Sequence, residues 1–327
     1  MIKKNIFTAN HTNSKNLLFN ILSWFVSVRV GSWLLIIIFI FSGCIPAKDK
    51  VITDRTGRTV IIKSPINRIV STAPSNTEII VDLGQAHKLI AIDKHSANIE
   101  GMPPNLPLLD FFYPDAEVII NLEPDIIIAS GHNATGSGED PFRMLREIGI
   151  PVVYISMSES IEDIYKDIAF IAELLQTEEK GEALIASMKE QIDEIAQKKS
   201  SIESRKTVYF EISVAPLMMT FGKNSFINNM ITVIGARNIF ENEKWLVTPG
   251  AETIINRNPD VILTNVNYIE NPIEEIKNRL GFNHINAVIN DHIYLIDNDS
   301  SSRPSARVIL ALKQMFQAVY PEVYEKK

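Results

Sequence analysis

The chain has one cysteine in 327 residues, Cys44, so no disulfide can form within it. Stability must come from buried apolar surface, and the length is enough for two domains with real cores. Clustered basic residues are also missing. No run of Lys or Arg is longer than two residues, as at Lys198-Lys199 and Lys326-Lys327, which argues against a nucleic-acid partner. Nucleophile elbows, a Cys nucleophile and the Rossmann glycine set are absent as well, so an enzyme is a distant second class. With no further thiolate and no closely spaced histidines, a dedicated protein-built metal site is not expected. No cofactor is implied.

Acidic residues are missing from one region only. Residues 1–44 carry Lys3, Lys4, Lys15 and Arg29 and no Asp or Glu. An apolar run from Gly31 to Gly43 ends at Cys44. A basic leader, an apolar core and small residues before a cut site make an export signal. Ser42-Gly43-Cys44 resembles the bacterial lipobox, whose cysteine receives a diacylglyceryl thioether. The alternative is an uncleaved anchor, since Leu17 to Gly43 is long enough to span a bilayer. Either way the rest of the chain is tethered to the outer face of a membrane. The part after residue 44 keeps 28 basic and all 39 acidic residues, a net charge of −11.

What the chain does have is a repeat. Residues 116–128, AEVIINLEPDIII, return at 251–263 as AETIINRNPDVIL, with 8 of 13 positions identical and no gap. Each copy reads as a short helix, a Pro-Asp turn and a buried strand. Two copies imply two lobes on one plan, each with a glutamate at the same place, Glu117 and Glu252.

The rest of the pattern agrees. Residues 51–62 read as a hairpin around Gly57. Strands follow at Ile69–Ser71, Leu89–Ile92, Ile126–Ala129 and Val152–Ile155. Ser75 and Glu78 have the spacing of a capping box that opens a helix ended by Gly84. Asp140-Pro141 reads as a helix start and Gly149 as its stop. Apolar strands alternating with helices mean a parallel α/β sheet covered on both faces. A striped helix over 161–175 precedes a second, of roughly 24 residues, from Thr177 to about Ser200. That second helix is a natural strut between lobes. The second half gives strands at 207–212, 261–264 and 293–296, and helices at 225–234, 272–280 and 305–319. The expected division is a 1–44 signal peptide, a 45–176 lobe, a 177–201 connecting helix and a 202–327 lobe.

Ligands of open parallel sheets bind beyond the carboxyl ends of the strands. Those rims are 73–76, 94–95 with His95, and 131–133 with His132. In the second half they are 214–223, 265–268 with Tyr268, and 298–303. Phe111, Phe112, Tyr113 and Trp245 lie nearby, a mix suited to a sizeable, partly aromatic small molecule. Residues 131–138, GHNATGSG, lack the Lys-Ser/Thr of a phosphate loop and read as a flexible loop.

At this point the chain resembles the substrate-binding proteins of ABC importers for cobalamin and iron complexes. Residues 68–80, RIVSTAPSNTEII, resemble that family's opening strand and helix. The turns at Pro124-Asp125 and Pro259-Asp260, Arg303-Pro304 and the last helix resemble further parts of it, so the likeness covers about 50 to 325. It implies two α/β lobes joined by one backbone helix, with modest hinge motion and a cleft between them. It implies that Glu117 and Glu252 dock onto arginines of the membrane permease. Carried onto this sequence, its cleft positions are His95, Phe111, Ser130, Met219, Trp245 and Arg303. Ser130 and Met219 replace aromatics, which moves the expected ligand toward an iron complex of siderophore type. Cobalamin or another corrinoid comes second and haem third; the alternatives of another class are a direct metal-ion binder and an enzyme.

Overall fold

A computed structural model describes residues 48–135 and 140–325. The leader, Cys44, residues 136–139 of the glycine-rich segment and Lys326-Lys327 lie outside the described residues. Among those described, no helix is long and apolar enough to cross a membrane.

A hairpin of β1 (Lys48–Thr53) and β2 (Thr59–Ser64) comes first. Then β3 (Ile69–Ser71), β4 (Leu89–Asp93), β5 (Leu108–Leu109), β6 (Ile126–Ser130) and β7 (Val152–Ile155) form one sheet in the order β5-β4-β3-β6-β7. Every pairing in it is parallel. In the second half are β8 (Thr207–Glu211), β9 (Thr220–Phe221), β10 (Arg237–Asn238), β11 (Leu246–Val247), β12 (Val261–Thr264) and β13 (Ile293–Leu295). The strands β10-β8-β12-β13 make a second parallel sheet, and β9 pairs with β11 as a small antiparallel ribbon. Their central strands β6 and β12 are buried except for Ser130 at the end of β6, as helices on both faces require.

The two repeat copies lie in different sheets. Each supplies a helix, Ala116–Asn121 or Ala251–Arg257, and then β6 or β12. Between helix and strand each copy turns through a left-handed residue at the same position, Glu123 (φ 45°) and Asn258 (φ 41°).

The helix Glu178–Lys199 has 22 residues, about 33 Å at 1.5 Å per residue. It carries acids in its first turn and lysines in its last, both favourable to the helix dipole. It packs against the helices Ile161–Leu174 and Val308–Val319. At Gly181 a Cβ would come within 2.6 Å of the Ala172 Cβ, so only glycine lets these helices approach so closely. The apolar core they share runs without a break from Ile69 and Ile128 to Val208 and Leu263.

Three local expectations are corrected. Glu78 does not close a capping box: the helix is Pro74–Asp82, its N-cap is Ala73, and no side chain caps it. The Glu78 carboxylate is drawn away by stronger partners in the second half, described below. Residues 131–135 are not a loop but a short helix running straight on from β6. The helix after Asp140-Pro141 starts later, at Arg143, because the Asp140 carboxylate accepts from the Phe142 N–H and holds a turn there.

Candidate functional site

The carboxyl ends of strands from both sheets open onto one cleft of about 720 Å³. One wall is Ala73–Asn76 after β3, Lys94 and His95 after β4, and Ser130 at the end of β6, with Phe111 and Phe112 beside them. Ile155–Ser158 after β7 extends it. The facing wall is Phe221, Phe226, Trp245, Asn267 and the segment Asn298–Pro304.

Aromatic rings stand on both walls. Phe111 and Phe112 meet edge to face at 4.9 Å, and His132 lies against both, tilted to Phe111 at 6.0 Å and edge-on to Phe112 at 5.6 Å. Phe221 meets Trp245 edge to face at 5.7 Å. Trp245 sits at φ 38° in a turn pinned by bonds between Gly222 N–H and Trp245 C=O and between Trp245 N–H and Lys223 C=O. Trp245 stays 39% exposed and lines the cleft.

The cations of the lining are all engaged by the protein. Lys94 donates to Asp110 at 2.6 Å, and this hydrogen bond, with the N–H groups of Tyr113 and Phe112, holds the Asp110 carboxyl down at about 2. Arg303 is buried. It donates to Glu78 at 2.8 Å, to the His95 carbonyl at 2.9 Å, to Asn98 at 2.9 Å, and pairs with Asp299 at 2.8 Å. The other Glu78 oxygen accepts from the Ser305 hydroxyl at 2.5 Å. Asn98 closes the set by donating to Asp299 at 2.6 Å. Glu78, His95 and Asn98 belong to the first half, Asp299, Arg303 and Ser305 to the second. The cleft floor is thus a buried ionic seam between the halves. Beside it, burial raises the Asp93 carboxyl, against the bonds it accepts from Ser96 and the His95 N–H. Under the 155–158 wall, burial pushes the Asp167 carboxyl up to about 6, although Arg55 pulls it down.

Of the eight residues expected at the ligand, the cleft gathers His95, Phe111, Ser130, Trp245 and Arg303. Three stand outside its lining. His132 backs the Phe111–Phe112 pair, and Met219 bridges Ser213 in the approach to β9. The Tyr268 hydroxyl lies 3.4 Å from Ser213 Oγ and accepts from the Val214 N–H at 3.1 Å. The sequence reading omitted Ile155–Ser158, although the rule that gave the other rims applies equally to the end of β7. It also omitted Asp167 and Phe226, which lie within helices and carry no such signal. Glu117 and Glu252 are both exposed, each the second residue of its helix, and neither pairs with a cation among the described residues. Among those residues no group of three or more His, Cys, Asp or Glu is placed to hold a metal ion.

The periplasmic binding protein family matches residues 69–300, which include both sheets and most of the cleft. The ABC transporter substrate-binding lipoprotein YvrC of Bacillus subtilis is 29% identical over 316 residues, covering 91% of this chain and 99% of its own. The vitamin B12-binding protein of Vibrio campbellii is 27% identical over 254 residues, 77% of this chain and 88% of that one. Among solved structures, a possible iron-binding periplasmic solute-binding protein from Staphylococcus epidermidis superposes with a TM-score of 0.69. It is 30% identical and covers 78% of this chain and 99% of its own. The periplasmic heme-binding protein HutB of Vibrio cholerae superposes with a TM-score of 0.68 at 25% identity, with 78% and 99% covered. The chain therefore belongs to the periplasmic binding protein family, as a solute-binding protein and not an enzyme.

Proposed function

We propose that this chain is the extracytoplasmic substrate-binding lipoprotein of an ABC importer, and that its cleft captures an iron complex of siderophore type. Cys44 carries the lipid that holds it at the membrane. Residues 45–176 and 202–327 act as two lobes on the 177–201 helix, and Glu117 and Glu252 present one carboxylate from each to the permease.

The observation that carries the ligand reading is the charge state of the cleft. Its volume and rings suit a large, partly aromatic chelate. Its lining cations, Lys94 and Arg303, already have carboxylate partners. To recruit Arg303, a polyanionic ligand would have to break its pair with Glu78 and leave that buried carboxylate uncompensated, which costs several kcal/mol, whereas the exposed Lys94–Asp110 pair adds little to this barrier. A chelate with a neutral outer face, such as a ferric tris-hydroxamate, asks for none of this. Asn267 and Asn298 in the lining offer it amide groups.

A corrinoid is the second reading. It too is uncharged over most of its rim and fringed with amides, and relatives named as vitamin B12-binding proteins support it. Haem ranks below both, because its two carboxylates ask for free cations. Titration of the purified protein with a ferric tris-hydroxamate, a ferric tris-catecholate, cyanocobalamin, haem and Zn²⁺, read by fluorescence, tests this order. Saturable binding of the neutral chelate with tenfold weaker catecholate binding is expected. Binding of Zn²⁺ alone, or turnover of any probe, would overturn it.

A further inference from the structure

The first hairpin is fastened to the cleft wall. Asp54, at the end of β1, accepts from Thr56 N–H, Thr56 Oγ1 and Arg58 N–H with one oxygen, which shapes the turn. Its other oxygen accepts from the Tyr154 N–H at 3.0 Å, and the Arg55 N–H donates to the Tyr154 carbonyl at 3.1 Å. The turn therefore adds two ladder-like bonds to the outer edge of β7. Arg58 lies over the Tyr154 ring at 4.6 Å.

From that fixed turn the Arg55 side chain reaches inward. Its Nε donates to Asp167 Oδ1 at 2.7 Å, and Ser158 Oγ donates to Asp167 Oδ2 at 2.9 Å. The Asp167 side chain is only 1% exposed, so losing either donor leaves a buried acceptor unsatisfied. Both Ser158 and Asp167 line the cleft, as do Ser156 and Met157 between β7 and Ser158.

We infer that Arg55 is a positioning residue for the ligand cleft: it orients Asp167, Asp167 holds Ser158, and Ser158 fixes the 156–158 wall. The inference rests on the reading of the cleft as the ligand site. It gives the hairpin a role in affinity, although nothing in the hairpin lines the cleft. The direction of control is set by geometry. Asp167 accepts through both oxygens, one toward the hairpin and one toward the wall, so it transmits any shift of the turn.

Hydrogen exchange of the full-length protein in detergent tests this without a ligand. Arg55→Ala should speed exchange in a peptide covering 156–158 by about tenfold or more, leaving a peptide covering 207–211 as in the wild type. Arg55→Lys, which keeps a charge within reach, should restore part of the protection. Lys50→Ala removes a different hairpin pair, to Glu173 at 2.9 Å, and should leave 156–158 unchanged. In parallel, affinity for ferric desferrioxamine B and cyanocobalamin should fall three- to tenfold in Arg55→Ala for whichever the wild type binds. If the wild type binds neither, the ligand reading fails while the exchange result still decides the link. Should Arg55→Ala not fold, Ser158→Ala, which deletes one hydroxyl, carries both readouts. Exchange at 156–158 equal to the wild type, or faster exchange spread evenly over both sheets, would overturn the inference.

Discussion

Asp125 and Asp260 hold equivalent places in the two sheets and make equivalent bonds. One Asp125 oxygen accepts from the N–H groups of Asn67 and Arg68 at 2.7 and 2.9 Å. One Asp260 oxygen accepts from the Thr207 N–H at 2.8 Å and its hydroxyl at 2.7 Å. Each aspartate N–H answers, donating to the Arg68 or Thr207 carbonyl at 2.9 and 3.0 Å. The Pro-Asp turn therefore fastens the start of β6 to β3 and the start of β12 to β8. The repetition of Pro-Asp has a structural cause, and the repetition of Glu117 and Glu252 does not share it.

Replacing either aspartate by alanine should cost about 1–3 kcal/mol, since two donors lose a charged acceptor. Urea unfolding at pH 7 measures this. For Asp260 the effect is pH-dependent. Burial raises its carboxyl, but the Thr207 bonds outweigh that and leave it below its ordinary value. A depressed acid contributes stability above its unfolded value and loses it as the pH falls. The gap between wild type and Asp260→Asn should be constant from pH 5 to 7 and narrow below about pH 4.

Glu78→Ala and Arg303→Ala should each destabilise by about 3–5 kcal/mol, because each strands a buried charge. The double variant should cost less than the two together, which a double-mutant cycle in denaturant will read. Additive losses would show that the two do not act as a pair.

Gly131→Ala should disturb the cleft directly. The added Cβ would meet the Ile155 carbonyl at 2.8 Å and the Ser156 Cα at 2.9 Å, both backbone and unable to swing aside. Overpacking of this kind costs about 1–3 kcal/mol. A lower melting temperature together with weaker ligand binding is expected.

Trp245→Ala should leave the fold intact and weaken ligand binding. A stacked ring contributes about 0.5–1.5 kcal/mol, roughly two- to thirteenfold in affinity. Isothermal titration with whichever chelate binds the wild type checks it.

Much of the fold was legible because its signals are local. Apolar runs placed the central strands, and Ser225 before the helix Phe226–Val233 caps it as its residue type implies. The gap-free repeat located the same turn in both sheets. The short strands β5, β9, β10 and β11 were not legible, since two residues show no period. Nor was the fate of Glu78. A Ser-x-x-Glu spacing describes a helix end in isolation, whereas this glutamate lies opposite a buried arginine 225 residues away. The rims of the cleft followed from sheet topology. Which rim side chains face the cleft did not, because Met219 and Tyr268 are turned by loop contacts that spacing does not encode.

Delivery to a permease is most directly tested with the double variant Glu117→Ala, Glu252→Ala, assayed for stimulation of the reconstituted importer's ATPase. Both positions are exposed, so folding should shift by no more than about 0.5 kcal/mol. Ligand affinity in isolation should stay within about twofold of the wild type. Stimulation should be abolished in the double variant and weakened in each single one. Added salt should weaken it further, as exposed charge pairs are screened over about 10 Å at 0.1 M. A double variant that stimulates normally, or that loses ligand binding on its own, would contradict docking through these two glutamates.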